Sequence, residues 1–209
     1  MRMSEGIKKY AQKNGKKHNS KKAVKAKIEM RRNILSWIGG YSSVFDAYGG
    51  NGMMYREAWS GCSKYTGCDI ELKMDGRKMF CADNIRVLRS IDLSQFNIFD
   101  LDAFGSPWEQ AAIVAKRRKI SGGEKIGLCL TIGDGMNVKF GGMPTALSVL
   151  AGFRTKIPGG MQQRGEIIDM AINTLCETMN VDIDHRWQAE SKSASAMIYV
   201  ALALIGKGQ

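Results

Sequence analysis

Apolar residues recur along the chain in blocks with two kinds of spacing, and these blocks predict its elements. Over residues 23–38 the apolar positions lie three to four residues apart, which indicates one buried face of a helix. Beyond a Gly-Gly pair, compact apolar blocks predict strands at residues 43–47, 65–70, 79–82, 97–101 and 126–132. Amphipathic stretches between them predict helices at residues 53–59, 84–90 and 107–119. This alternation predicts a parallel sheet that is covered by helices on both faces.

The last third of the chain has a different pattern. An amphipathic stretch over residues 166–179 predicts a helix, and residues 181–189 and 196–205 predict two strands. The six residues between these strands are too few for a helical crossover, so we expect an antiparallel hairpin. A long glycine-rich connection over residues 133–164 precedes them, which indicates either a substrate-facing lid or a surface loop without a role.

Positive charge is concentrated at one end of the chain. The formal net charge is +11, and residues 1–32 contain twelve lysines and arginines against two glutamates. We predict a flexible basic arm over residues 1–22 and a single domain over residues 23–209. An arm of this kind favours binding to the phosphates of a nucleic acid. A solubilising tail and binding to anionic lipid are the alternatives.

Several classes of protein are disfavoured by the composition. No stretch approaches the roughly 20 apolar residues that are needed to cross a bilayer, and the N-terminus is unlike a signal peptide. A cytoplasmic protein without a membrane partner is therefore expected. The five cysteines form no CxxC pair and there are two histidines, so neither a disulfide framework nor a metal site is expected.

A glycine turn follows the first predicted strand. Residues 45–52 read FDAYGGNG, so that an acid, Asp46, is followed by three closely spaced glycines. Glycines let the backbone turn sharply and approach a ligand, and ligands bind at the carboxyl ends of parallel strands. Asp69 ends the second predicted strand about 20 residues later, where a ribose-binding acid is expected. The glycine turn and the acid at the end of the second strand would both also be found in a dinucleotide-dependent enzyme.

The order of motifs along the chain distinguishes this protein from a dinucleotide-dependent enzyme. The segments at the ends of successive predicted strands are DAYGGNG, CDIE, CADN, DLDAFGSPW and TIGDG. With the closing helix and hairpin, this order resembles the Rossmann-like class I methyltransferases over residues 30–205. The resemblance implies an α/β fold with a mostly parallel seven-stranded sheet and a C-terminal antiparallel hairpin. It also implies S-adenosyl-L-methionine as the cofactor.

The same resemblance assigns residues to the cofactor site. Asp46 and the glycines would line the methionine half, and Asp69 would accept hydrogen bonds from the ribose hydroxyls. Asp83 would contact the adenine amino group; the alternative is that Asp83 caps the helix that follows. The complete set assigned to the cofactor is Asp46, Tyr48, Gly49, Gly50, Gly52, Asp69, Ile70, Asp83, Asn84 and Asp100. Since residues 71–78 alone separate the second and third predicted strands, the helix usual there is expected to be stunted.

The segment after the fourth predicted strand is the candidate reaction site. Residues 102–107 read DAFGSP, which is similar to the DPFGSP of tRNA guanine-N2 methyltransferases, with Ala103 in place of the first proline. By this resemblance Asp102 accepts an N–H bond from the amino group that is methylated, and Phe104 stacks on an extruded base. The alternative is that Asp102 caps the next helix and Phe104 belongs to the core.

These observations lead to one favoured function and two alternatives. The favoured function is methyl transfer to an exocyclic amino group of a nucleic-acid base, with RNA favoured over DNA and the basic arm supplying affinity. A methyltransferase of a protein or a small molecule would keep the cofactor site and make the arm dispensable. A degenerate, non-enzymatic nucleic-acid-binding protein would bind no cofactor.

Overall fold

A seven-stranded sheet forms the centre of the computed structural model, which describes residues 21–71, 74–153, 156, 160–191 and 197–208. Its strands are β1 (Ser43–Asp46), β2 (Lys64–Asp69), β3 (Met79–Cys81), β4 (Ile98–Leu101), β5 (Lys125–Ile132), β6 (Val181–Glu190) and β7 (Ile198–Gly206). They lie in the order β3-β2-β1-β4-β5-β7-β6. The first five are parallel, and β7 runs antiparallel to both β5 and β6. The mostly parallel sheet and the C-terminal hairpin are thus confirmed.

Helices cover both faces of the sheet, as predicted. They are α1 (Lys21–Ile38), a π-helical turn (Tyr55–Trp59), α2 (Asn84–Ser90), α3 (Trp108–Arg117), α4 (Gly135–Lys139), α5 (Thr145–Ala151) and α6 (Arg164–Met179). One core lies between the sheet and α2, α3, α5 and α6, and a second lies between the sheet, α1 and the π-helical turn. The central strands β1 and β4 are buried along their whole length, including one aspartate in each.

Helix α1 runs across the sheet from its carboxyl edge to its amino edge. Near its start Lys27 reaches Asp102, just beyond the end of β4, and near its end the Trp37 carbonyl accepts a hydrogen bond from Lys125 at the start of β5. Its buried residues are Ala23, Lys27, Met30, Arg31, Ile34 and Ile38. Two cations therefore lie on a face that is otherwise apolar.

The connection over residues 133–164 differs from the prediction because it contains two short helices, α4 and α5. Leu147 and Ala151 lie four residues apart on α5 and are buried, so packing of this short apolar face stabilises the helix. Arg164, at the end of this connection, is buried and donates to Asp134 Oδ1 at 3.2 Å, so it is not available for contact with a substrate phosphate. Arg154, the other arginine of this segment, lies outside the described residues.

Two further boundaries differ from the predictions. The stretch predicted as a helix over residues 53–59 ends in a π-helical turn, and α3 ends at Arg117 instead of Lys119. Arg118 leaves the helix with an extended backbone, and its Nε donates to the Phe96 carbonyl at 3.0 Å. In the part of the chain described, no helix is long and apolar enough to cross a membrane. The predicted basic arm lies outside this part except for its last two residues.

Candidate active site

Acidic residues lie where four neighbouring parallel strands end. Asp46 ends β1 and pairs in register with Asp100 of β4, while Asp69 ends β2 and pairs with Cys81 of β3. Asp83 follows β3 by two residues. Because parallel strands end at the same edge of a sheet, the motifs that the sequence singled out come together there. This edge is the candidate active site.

The glycine turn folds from the end of β1 across the end of β2. Gly49 N donates to the Cys68 carbonyl at 2.9 Å, and Gly50 N donates to Asp69 Oδ2 at 2.9 Å. A Cβ atom on Gly49 would lie 2.6 Å from the Met79 side chain, and Gly52 has a φ of +77°. The positive φ makes glycine the favoured residue at Gly52, whereas a side chain at Gly49 would have to displace the end of the Met79 side chain. The turn is tied directly to the acid that the sequence assigned to the ribose.

Arg77 holds the outside of this turn, which sequence reasoning missed. Its guanidinium donates to the carbonyls of Gly49 and Gly50 at 2.6 and 2.8 Å, and its side chain is 2% exposed. Asp75 accepts a further bond from it at 2.6 Å. Residues 71 and 74–78 of this connection form no helix, in agreement with the predicted stunted helix. The shortness of the connection was the available signal, although it did not single out Arg77.

Asp46 is almost completely buried beneath the turn. Its carboxylate accepts hydrogen bonds from the Tyr48 backbone N–H at 3.0 Å and from the Tyr65 hydroxyl at 2.8 Å. Burial, followed by the negative charge of Asp100, raises the pKa of Asp46 from 3.8 to about 7. Tyr48 itself is half-buried against the core. Asp46 therefore titrates close to neutrality, next to the backbone assigned to the cofactor.

Of the residues assigned to the adenine side, some are exposed and one is hydrogen-bonded within the protein. Asp83 is exposed and accepts a hydrogen bond from Arg86 N at 3.0 Å, so it does cap α2, as the alternative interpretation held. Asn84 donates to the Ala47 carbonyl and accepts from Gln110, both at 3.0 Å. Asn84 thereby links the end of β1 to α3. Ile70 is exposed at the same edge.

Asp100 lies behind the site and does not line it. Its side chain is completely buried, and Arg31 binds both of its oxygens, with Nε at 2.7 Å and Nη2 at 2.6 Å. Trp59 Nε1 donates to the same carboxylate at 2.8 Å. The expected contact between Asp100 and a cofactor does not fit this burial, so we correct its role to that of an anchor for α1 and the π-helical turn.

Asp102 is paired with a lysine from α1. Lys27 Nζ lies 2.5 Å from its carboxylate, Arg31 Nη2 lies 3.7 Å away, and 16% of the Asp102 side chain is exposed. Burial alone would raise the pKa of Asp102, but the charges of Arg31 and Lys27 hold it below its usual value. Asp102 is therefore a partly exposed carboxylate at the edge where the sheet ends.

The alternative interpretation of the reaction segment is wrong on both points. Pro107, without a side-chain hydrogen bond, occupies the position before α3, so Asp102 does not cap that helix. Phe104 is 91% exposed and so does not belong to the core. Trp108, the first residue of α3, is fully buried and donates to Asp134 at 3.1 Å.

The ion pairs of α1 also change the interpretation of the charged N-terminal segment. Lys27 and Arg31 belong to the twelve basic residues of positions 1–32, yet both are buried and bound to carboxylates. The signal that could have found them is their position on the apolar face of α1, four residues apart and in line with Ile34 and Ile38. Of the lysines that begin α1, Lys21, Lys22 and Lys25 are exposed.

Comparison with known proteins supports the fold through structure and not through sequence. No protein-family model matches the chain, and no curated protein matches it. Among solved structures, Trm1 from Pyrococcus horikoshii in complex with S-adenosyl-L-methionine is similar, with a TM-score of 0.60 and 17% identity. The match covers 91% of this chain and 56% of Trm1, so this chain spans little more than half of that protein.

Two further similar structures are N-methyltransferases of different kinds. NodS from Bradyrhizobium japonicum WM9, with S-adenosyl-L-homocysteine, has a TM-score of 0.53 and 13% identity, covering 87% of this chain and 86% of NodS. The 1,6-didemethyltoxoflavin-N1-methyltransferase of Burkholderia thailandensis has a TM-score of 0.54 and 10% identity, covering 97% and 86%. At such identities the likeness establishes the fold. The chain therefore has the class I methyltransferase fold.

Proposed function

We propose that the chain is an S-adenosyl-L-methionine-dependent methyltransferase that acts on an amino group of a nucleic-acid base, in RNA more than in DNA. The observation that carries this proposal is the common location of the glycine turn, Asp69 and the Asp102–Phe104 segment at one edge of a class I methyltransferase sheet. The three similar structures described above support the cofactor, since all three were crystallised with S-adenosyl-L-methionine or S-adenosylhomocysteine.

The residues at this edge fit such a cofactor. The glycine turn offers backbone without side chains, and the Gly50–Asp69 bond holds a carboxylate beside it for the ribose hydroxyls. Asp83 and Ile70 are exposed just after the next strands, where they would contact the adenine; Asp83 would do so in addition to capping α2 through Oδ1. When bound, the cofactor would supply an electrophilic methyl group. Asp46, beneath the turn, would face the positively charged end of the cofactor.

Asp102 and Phe104 would position the amino group that is methylated. An amino group conjugated to a base is a poor nucleophile, so an acceptor for its N–H bond helps to orient the nitrogen lone pair toward the methyl group. The exposed part of Asp102 provides that acceptor, and the proton that transfer displaces leaves to solvent. The Leu101 carbonyl accepts a bond from Ala103 N, so the Ala103 carbonyl is the second acceptor we propose. Phe104 offers an exposed ring for stacking.

The start of α1 supports a polyanionic substrate. Lys27 contacts Asp102, so the exposed Lys21 and Lys22 begin the helix about 9 Å further along its axis. Because α1 starts at the carboxyl edge of the sheet, the basic arm enters the domain beside the proposed reaction site. Phosphates bound by the arm would hold a nucleic acid close to Phe104.

Methyl transfer from labelled cofactor to total tRNA, rRNA, DNA and free nucleosides, followed by nucleoside analysis, tests the proposal. We expect label on an exocyclic amino group in an RNA fraction and binding of S-adenosylhomocysteine by calorimetry. Absence of binding at millimolar concentration would exclude a methyltransferase, and label in free nucleosides or protein alone would exclude the nucleic-acid substrate.

The proposed role of Asp102 is tested by Asp102→Asn. Since removal of one such acceptor or donor typically costs on the order of 100-fold in kcat, we expect a loss of that size with unchanged affinity for S-adenosylhomocysteine. Asp169→Asn, which alters an exposed carboxylate of α6, is the matched control and should keep full activity. A fully active Asp102→Asn variant would contradict the role.

A further inference from the structure

Helix α1 presents two cations to the two acids at the end of β4. Arg31 binds Asp100 and Lys27 binds Asp102, so the pairs follow one another along both elements. Residues four apart on a helix lie about 6 Å apart along its axis. Asp100 is in β4 and Asp102 lies just beyond its end, so the two acids follow one another in the same direction as the two cations and both ion pairs form at once.

The Lys27 side chain is committed to Asp102. It is 4% exposed, and its ammonium also lies 5.6 Å from the centre of the Tyr199 ring. A buried ammonium group needs a hydrogen-bonded counter-charge, because the free energy of its desolvation is large. Arg31, the other nearby cation, binds Asp100 through two nitrogens and donates through the third to the Lys27 carbonyl. The Lys27–Asp102 pair is therefore set by the packing of α1.

We propose that Lys27 is a positioning residue for Asp102, an inference that rests on the proposed methyltransferase function. The Asp102 side chain is 16% exposed, and Lys27 holds its buried part in one orientation. The ion pair also keeps the group in its charged carboxylate form. The exposed part then remains an acceptor for the N–H bond of the incoming amino group. Without Lys27 the carboxylate would rotate and take up a proton more readily.

Other charged and titratable groups face Asp102 from every element packed around it. Lys27 and Arg31 both lower the pKa of Asp102, so the test must distinguish the effect of Lys27 from that of Arg31. Within the described part of the chain, these neighbours are Lys27 and Arg31 of α1, Asp46 of β1, Tyr48 of the glycine turn, Asp100 of β4, Cys129 of β5 and Tyr199 of β7. Of the two cations, Lys27 can be neutralised without altering Arg31, the anchor of β4.

The test compares Lys27→Met, Lys27→Arg and the control Lys25→Met, which removes an exposed lysine from the same helix. We expect Lys27→Met to lower kcat on the order of 100-fold, as misplaced catalytic groups do, without changing KM for the cofactor. The acidic limb of its pH–rate profile should move to higher pH, because Asp102 then protonates at higher pH. Lys27→Arg should restore most of kcat, and Lys25→Met should match the wild type.

A double-mutant cycle distinguishes the loss of positioning from damage to the fold. Asp102→Asn combined with Lys27→Met leaves no unpaired buried charge, and it should have the same kcat as Asp102→Asn alone if Lys27 acts through Asp102. A further loss in the double variant would overturn the proposal. So would a kcat for Lys27→Met equal to that of Lys25→Met.

Carboxyl NMR titration of Asp102 separates this inference from the proposed function, because it needs no turnover. Its midpoint should rise in Lys27→Met and stay unchanged in Lys25→Met. An unchanged midpoint in Lys27→Met, with wild-type methyl transfer intact, would overturn the role of Lys27 alone. A wild-type chain that transfers no methyl group would overturn the proposed function, and with it the catalytic purpose of the pair, whatever the titration shows.

Discussion

Asp46 is the residue whose surroundings are least like those of an ordinary aspartate. Its carboxylate is buried, faces the negative charge of Asp100, and is bound by one backbone N–H and the Tyr65 hydroxyl. Arg31 and Lys27 are committed to Asp100 and Asp102, so neither pairs with Asp46. Burial and the neighbouring charge outweigh the two hydrogen bonds, and the pKa of Asp46 rises to about 7.

This raised pKa predicts how stability depends on pH. Above about pH 3.8 the unfolded chain loses the Asp46 proton, while the folded chain retains it to about pH 7. The unfolded state then binds fewer protons, so the free energy of unfolding falls by up to about 1.4 kcal/mol per pH unit through this window. Urea unfolding of wild type and Asp46→Asn at several pH values measures it, since the variant can keep both hydrogen-bond partners.

The control for this prediction is Asp92→Asn. The pKa of Asp92 is lowered by the Ser94 backbone and side chain, so its contribution to stability is lost as pH falls below about 3.8. Asp92→Asn should therefore keep the wild-type slope between pH 4 and 7, whereas Asp46→Asn should flatten it. Identical slopes in wild type and Asp46→Asn would contradict the assignment.

At the residue scale, local sequence predicted the acids and the glycines but not their cationic partners. Asp46 and Asp69 are identified by their positions at strand ends, and the turn by its three glycines. Lys27 and Asp102 lie 75 residues apart, and Arg31 and Asp100 lie 69 apart. No local pattern encodes such pairs. The composition of the first 32 residues instead suggested a solvated basic segment, which concealed the two buried cations.

The short connection between β2 and β3 contacts the glycine turn through a single side chain. Arg77 binds two of the turn's carbonyls and is itself held by Asp75. A Cβ atom on Gly52 would lie 2.9 Å from the Arg77 guanidinium carbon, so the arginine sits directly on the turn. We therefore expect this contact to stabilise the shape of the turn.

Arg77→Met should weaken cofactor binding by loosening the glycine turn. Charge-assisted hydrogen bonds contribute about 1.5–3 kcal/mol each, so we expect an affinity for S-adenosylhomocysteine about ten-fold lower or worse by calorimetry. The control Arg86→Met removes an exposed arginine from α2 and should leave the affinity unchanged. Unaltered affinity in a folded Arg77→Met variant would mean that the turn keeps its shape without Arg77.

Elements with strong, continuous patterns were predicted well, and those stabilised by distant packing were not. The buried runs of β1 and β4 and the amphipathic pattern of α1 survive in the structure. Helix α5 was missed because seven residues after Pro144, among glycines, show too little periodicity, although packing against α6 stabilises them. A five-residue π-helical turn likewise cannot be distinguished from an α-helix by the spacing of its apolar residues.

At the scale of the whole molecule, the chain separates a charged segment from a nearly neutral body. The net charge is +11, and residues 1–32 carry +10 of it, yet Lys27 and Arg31 are neutralised within the domain. In the proposed function, the charge that would meet a partner is therefore that of residues 1–20 and of Lys21 and Lys22 at the start of α1. Since α1 begins at the carboxyl edge of the sheet, that charge is attached beside Asp102 and Phe104.

Removing residues 1–20 should weaken nucleic-acid binding and reduce its dependence on salt. The deletion removes six basic residues and one glutamate but leaves both ion pairs of α1, so thermal stability should be unchanged. Each lost phosphate contact should reduce the slope of log K against log salt by about 0.7 for a single-stranded RNA. Fluorescence anisotropy with a labelled RNA at several salt concentrations measures this slope. A full-length chain with the six basic residues changed to glutamine controls for length, and its slope should fall by the same amount as that of the deletion. An unchanged slope in both variants would exclude phosphate contacts by the arm.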